Sequence, residues 1–209
     1  MFCFEYTQGT MEDQAKNIAD ESRRRGRFFE ETWEIVRILL ISLAIVIPIR
    51  YFIAQPFVVR GASMEPNFTD REYLVIDEAS YYLRAPARGE AIVFRYPRDP
   101  SEFFIKRVVG LPGEKVGIRN GRVSIFNAAY PEGFALEEPY LGGLRVLTGP
   151  DSETTLGPDE YFVLGDNRGA SSDSRIWGVL KRDFIVGRAL FSAWPPEKFG
   201  RVRDFSFPY

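Results

Sequence analysis

Phe57-Val58-Val59-Arg60-Gly61-Ala62-Ser63-Met64-Glu65-Pro66 divides this chain into two kinds of sequence. Upstream lies an apolar stretch with the composition of a membrane helix. Downstream, from Phe57 on, the pattern changes to short strand-like runs separated by turn residues. Ser63 stands at the junction. Gly61 and Ala62 before it leave room for another backbone to approach, and Pro66 biases Glu65 towards an extended conformation. A serine so placed is expected at the rim of a groove.

The downstream runs set the fold class. Tyr73–Asp77, Glu90–Tyr96 and Phe103–Val109 read as strands, the second closed by Pro97 and the third by Gly110-Leu111-Pro112-Gly113. Lys115–Arg119 and Arg122–Phe126 flank Asn120-Gly121, a dipeptide suited to a two-residue hairpin turn. Tyr161–Leu164 and Asp183–Phe191 read as the last strands. The stretch from Asn127 to Asp159, rich in Gly, Pro and acidic groups, reads as a loop or small lobe. The expectation is a mainly antiparallel β body.

With 209 residues, 45% of them apolar, and a net charge of −2, the chain has a globular composition and no basic excess for nucleic acid. It contains no histidine, and Cys3 is its only cysteine. A Ser-His-Asp triad, a Cys-His dyad and the usual zinc sites are therefore excluded, as is an intramolecular disulfide. An enzymatic base would have to be Lys, Asp, Glu or Tyr.

The uncharged part of the upstream segment, Ile38–Ile49, is too short to cross a bilayer, which takes about 20 residues. Trp33–Phe52 reaches that length if Arg37 and Arg50 snorkel and Trp33 and Tyr51 sit at the interfaces. A cleaved targeting segment competes with this reading, but the flank Ile49-Arg50-Tyr51-Phe52 offers no small-residue cleavage site. A buried core helix also competes. The arginines at 23, 24, 25 and 27 place the N-terminus in the cytoplasm and the body outside. The expected organisation is a cytoplasmic segment (1–32), a single transmembrane helix (33–52) and a β-rich body (53–209) carrying a reduced second lobe (about 115–159).

Two further stretches carry chemistry. Lys106 lies in an apolar strand, with Phe104 and Val108 on its face; desolvation there would favour the neutral amine, which can take a proton from a serine. The competing reading is an edge-strand lysine with its head in water. Gly165-Asp166-Asn167-Arg168-Gly169-Ala170-Ser171-Ser172-Asp173-Ser174-Arg175 can fold on itself through side-chain-to-backbone bonds and Asp-Arg pairs. It can also be read as a solvated loop, or as the source of an aspartic dyad of Asp166 and Asp173.

The chain resembles the type I signal peptidases, or leader peptidases, in four blocks in the right order: Ser63-Met64-Glu65-Pro66, Arg88 to Phe94, Lys106 to Glu114, and Gly165 to Arg175. The resemblance covers Pro56 to about Phe191. It implies a membrane-bound serine endopeptidase that removes signal peptides from exported preproteins after small residues, at the outer face of the plasma (inner) membrane. Its partners would be preprotein signal peptides, the lipid bilayer and the secretion translocon, not nucleic acid, and it would need no metal or cofactor. By the same resemblance Ser63 is the nucleophile, Lys106 the general base, and Ser171 the group that orients the lysine. The Ser63 N–H would donate to the oxyanion. Gly61 stands where many members carry a hydroxyl that completes the oxyanion hole, so a serine at 61 is expected to be harmless or beneficial. Phe57, Val59, Met64 and Ile105 match positions lining shallow substrate pockets, and Asp166, Arg168, Asp173 and Arg175 would brace the site. Asn67-Phe68 departs from the family's Thr-Leu. A catalytically silent membrane-anchored binding protein on the same scaffold is the alternative; a self-cleaving repressor-type Ser-Lys protein would need a DNA-binding helical domain.

Overall fold

The computed structural model describes residues 32–47, 55–142, 148–203, 205 and 207. The arginine cluster at 23–27 and residues 48–52 of the expected span lie outside them. The first of two compact units contributes one helix, α1 (32–47). It is about 24 Å long at 1.5 Å per residue, and its large apolar side chains are exposed, Trp33, Ile38 and Leu39 among them. Among the described residues no helix is long and apolar enough to cross a membrane.

The second unit is mainly antiparallel β-sheet, as the strand pattern predicts. Its strands are β1 (Gln55–Val58), β2 (Tyr73–Asp77), β3 (Ala91–Tyr96), β4 (Asp99–Gly110), β5 (Lys115–Arg119), β6 (Arg122–Phe126), β7 (Phe134–Ala135), β8 (Ser152–Thr155), β9 (Glu160–Leu164), β10 (Leu180–Lys181), β11 (Ile185–Trp194) and β12 (Gly200–Arg201), with short helices α2 (Ser80–Leu83) and α3 (Ser174–Trp177). The larger sheet runs β1-β2-β11-β3-β4-β9-β10, with β12 beside β11; the smaller runs β7-β6-β5-β8. The smaller sheet is built within the segment expected to form a lobe. Its hairpin turns at Asn120-Gly121, both at positive φ.

One strand is longer than its sequence pattern suggests. β4 begins at Asp99 because Tyr96 pairs with Asp99 across Pro97-Arg98, so the proline that closes β3 also opens the hairpin into β4. Three apolar clusters hold the sheets. Met64, Phe68, Leu74, Ile76 and Val93 fill one, Val109, Val116, Ile125 and Phe162 a second, and Ile92, Phe94, Val108 and Val163 a third. β4 contributes Ile105, Val109 and Val108 to the three in turn, which makes the lysine-bearing strand the common member of all of them.

Candidate active site

β4 gains a second neighbour just past Lys106. It pairs with β3 as far as Arg107, and with β9 on its other edge only from Arg107 onwards, where Leu164 stands opposite Arg107. β9 ends there, so the loop from Gly165 passes across the lysine. The Asn167 N–H donates to the Ser63 carbonyl at 3.0 Å, tying this loop to the turn that carries the serine. Three segments distant in sequence thus meet at one point.

At that point Lys106 Nζ donates to Ser63 Oγ at 2.8 Å and to its neighbour's carbonyl, Ile105 O, at 2.7 Å. Lys106 is only 4% exposed, which sets aside the reading of a water-exposed edge lysine. Burial pushes its ammonium down to about 8, although the Asp173 and Asp166 carboxylates pull the other way. The Phe104 ring centroid lies 5.3 Å from Nζ.

Close packing holds the loop in place. A β-carbon on Gly165 would overlap Ser171 Oγ and stand 2.5 Å from both Ser171 Cβ and the Ser63 carbonyl oxygen. Ser171 Oγ is buried and makes no well-formed hydrogen bond; it lies near enough to Asp173 to contribute, last, to holding that carboxyl low. Burial by itself pushes Asp173 up, but hydrogen bonds from Arg175 and from the Gly165 N–H outweigh it.

The acidic and basic groups of this loop do not form an aspartic dyad. Asp173 pairs with Arg175, whereas Asp166 is taken by Arg107, whose Nε and Nη2 donate at 2.7 and 2.6 Å. Arg107 leaves the strand on the face opposite Lys106, 1% exposed, with the rings of Tyr140 and Phe205 over its guanidinium. Arg168 reaches into the segment that carries the smaller sheet, donating to Glu138 and to Thr148 Oγ1. Asn67 joins the same network, its Nδ2 donating to Tyr140 O and Asp166 Oδ2, both at 2.8 Å. The partners Arg107, Glu138, Thr148 and Asn67 escape the sequence reading. The one signal for Arg107 is strand alternation, which puts it on the face opposite Lys106.

Ser63 and Lys106 open on a groove of about 670 Å³. Phe57, Val59, Leu74 and Ile105 line it, and the Phe57 and Phe103 rings meet across it edge to face at 5.3 Å. Met64 does not line the groove; it is fully buried in the core beneath the serine, because its side chain points away from the face that presents Ser63. Gly61 also departs from expectation. Its φ is +84° and its N–H is committed to Asp70 Oδ1 at 2.7 Å. Space for a side chain exists there, but the backbone conformation disfavours one.

The family model described as signal peptidase, peptidase S26, matches residues 32–194. The chain belongs to the signal peptidase family. Curated members similar to it include a probable signal peptidase I-1 of Synechocystis, 33% identical over 84% of this chain and 91% of that protein. A second Synechocystis protein, probable signal peptidase I-2, is 34% identical over 90% of this chain and 85% of its own length. A signal peptidase I of Leptolyngbya laminosa is 36% identical, covering 81% and 83%. The chain is accordingly a serine peptidase, a hydrolase of signal-peptide processing.

Proposed function

We propose that Ser63 is the nucleophile and Lys106 the general base of this signal peptidase, and that it cuts exported preproteins after small residues on the outer face of the plasma membrane. The observation that carries the proposal is the 2.8 Å contact between Ser63 Oγ and a lysine amine buried to 4% exposure. A neutral Lys106 takes the hydroxyl proton as Oγ attacks the scissile carbonyl. The Ser63 N–H, which has no partner among the described residues, is the donor for the oxyanion. The ammonium then protonates the leaving amine, and the regenerated amine draws a proton from the water that hydrolyses the acyl-enzyme. Ser171, which makes no bond to the amine in this geometry, is the group we assign by the resemblance to orient it during catalysis, and Asp166, Arg168, Asp173 and Arg175 are the groups that keep the loop in shape.

The substrate reading rests on strand edges. Among the described residues β1 pairs only with β2, and Phe103–Lys106 of β4 only with β3. Both free edges face the groove, so an extended peptide can bond to either wall. Phe57, Val59 and Ile105 line that groove, and we assign them to the pockets that admit small side chains. The membrane reading rests on α1, whose large apolar side chains from Ile38 to Ile47 are exposed, a pattern that calls for an apolar environment. The span would run from 33 to 52. The pairing of Val58 and Trp194 with Tyr73 also sets three exposed apolar side chains side by side. The bilayer and the secretion translocon are the partners this location implies.

Cleavage of one preprotein in detergent, with the cut site mapped, tests the function. Ser63→Ala and Lys106→Arg are expected to be inactive yet folded, since arginine does not shed its proton near neutral pH. Substantial turnover by Lys106→Arg rejects the lysine base. Protease added outside intact spheroplasts is expected to reach the Asn120-Gly121 hairpin; protection of that hairpin inverts the topology.

A further inference from the structure

The Lys106 amine is shielded on one side by more than its own strand. Phe104 lies over it, and Tyr96 of β3 is stacked on Phe104 with centroids 4.4 Å apart and planes 13° from parallel. Trp177 of α3 meets Tyr96 at 6.2 Å and Phe94 at 5.7 Å, and Phe94 in turn meets Phe104 at 6.4 Å. The four rings form one layer behind the amine. Trp177 Nε1 is buried without a hydrogen-bond partner. An orphaned indole N–H is costly, so ring packing, not polar anchoring, keeps this tryptophan in place. The same short segment also supplies Asp173, whose carboxylate favours the charged amine.

We propose that Tyr96 and Trp177 are positioning residues: together they hold the Phe104 ring over the Lys106 amine and keep water from that side of it. The inference rests on Lys106 acting as the base. The other groups that bear on the amine are accounted for. Asp166 and Asp173 come from the loop after β9, and Ser63 from the β1–β2 turn. Arg107 points to the opposite face, where Asp166 pairs with it. Arg60 and Glu102 line the groove and are exposed. Arg98 is the charge beside the rings; it is exposed and its guanidinium is held by the Ile176 carbonyl next to Trp177, so removing a ring chiefly admits water.

The test uses the full chain in detergent, with lysines labelled at ¹³Cε. The Lys106 signal is assigned by its loss in Lys106→Arg, and its midpoint is followed beside log(kcat/KM) for a fluorogenic peptide from pH 5 to 11. In the wild type the midpoint is expected near 8, with activity rising as the proton leaves. Tyr96→Ser is expected to move both midpoint and rising limb up by about one unit, since hydration favours the charged amine. Activity then falls about tenfold at pH 7 and recovers by pH 10. Tyr96→Phe keeps the ring and is expected to match the wild type. Trp177→Ala, at the far edge of the layer, is expected to shift the midpoint in the same direction by less, and it serves as the test if Tyr96→Ser does not fold. Unmoved midpoints in the folded variants overturn the proposal. So does a loss of activity equal at all pH values, which marks a packing role only. If the midpoint moves in the variants while activity ignores it even in the wild type, the rings govern the amine as proposed and it is the base assignment that fails.

Discussion

Gly165→Ala adds one methyl group where the structure has no room for it. The new carbon would stand 2.5 Å from the Ser63 carbonyl oxygen and from Ser171 Cβ, where ordinary contact begins at 3.4 Å. The shortfall is about 0.9 Å. Gly165 cannot easily retreat, because its N–H donates to Asp173 and its carbonyl accepts from Arg168. The displacement therefore falls on the Ser63 turn and on Ser171. A shift of that size opens the 2.8 Å Ser63–Lys106 contact to roughly 3.7 Å, beyond hydrogen-bond range. Misplacement by about 1 Å costs on the order of a hundredfold in rate, or about 2.7 kcal/mol of barrier. Overpacking adds a stability loss of about 1–3 kcal/mol, a drop of a few degrees in Tm for a domain of this size. Peptide cleavage and thermal unfolding, measured on the same preparation, separate the two effects. A Gly165→Ala enzyme with wild-type kcat/KM would show that this contact does not hold the nucleophile.

Lys106→Met tests burial of the amine through stability. The folded-state pKa of about 8 lies below the ordinary 10.5, so between these values the unfolded chain binds the extra proton and wild-type stability rises with pH. Methionine removes a cost of about 3 kcal/mol at pH 6, and its stabilising advantage should shrink from pH 8 to pH 10; a pH-independent gap in chemical denaturation rejects ionisation as the source. Asp166→Ala strands the Arg107 guanidinium in the core. Losing one partner of a buried pair costs about 3–5 kcal/mol, a fall of about 10 °C in Tm, and a change of a degree or two would mean the pair is not part of the frame. Gly61→Ser forces a side chain onto a backbone with φ of +84°, at about 1–2 kcal/mol. It should slow peptide cleavage severalfold, and a faster enzyme would restore the expectation of a hydroxyl completing the oxyanion hole.

The contrast between strands and site explains what the sequence could reveal. β2, β5 and β6 lie where alternation and the Asn-Gly turn place them, since one buried face fixes register. The absence of histidine excluded the common triads and dyads, but it was the match to the family's blocks that singled out Ser63 and Lys106. The partners of the bracing charges could not be picked out. Asp166 and Arg107 are separated in sequence by the whole of the smaller sheet, and Arg168 finds Glu138 within the segment read as a loop or small lobe. Nothing in local pattern tells which acid a buried arginine will meet. Met64 was assigned to the groove by matching motifs, but its side chain points into the core. Gly61 looked replaceable because its φ cannot be read from sequence.

The ion pairs to which we assign the bracing of the site lie in the interior. Asp166 and Arg107 are 0% and 2% exposed at their side chains, and Glu138 and Arg168 are 11% and 0%. Arg119 and Glu153 on the smaller sheet, at 63% and 38%, are not so protected. Dissolved ions screen charges that water can reach, over about 8 Å at physiological ionic strength, and hardly touch those it cannot. Salinity should therefore loosen the rim of this molecule and leave the geometry around Ser63 unchanged. Beyond the plasma membrane, where we place the domain, the ion content follows the surroundings and not the cell. A frame of enclosed charges should let the peptidase keep its geometry in dilute and briny media alike.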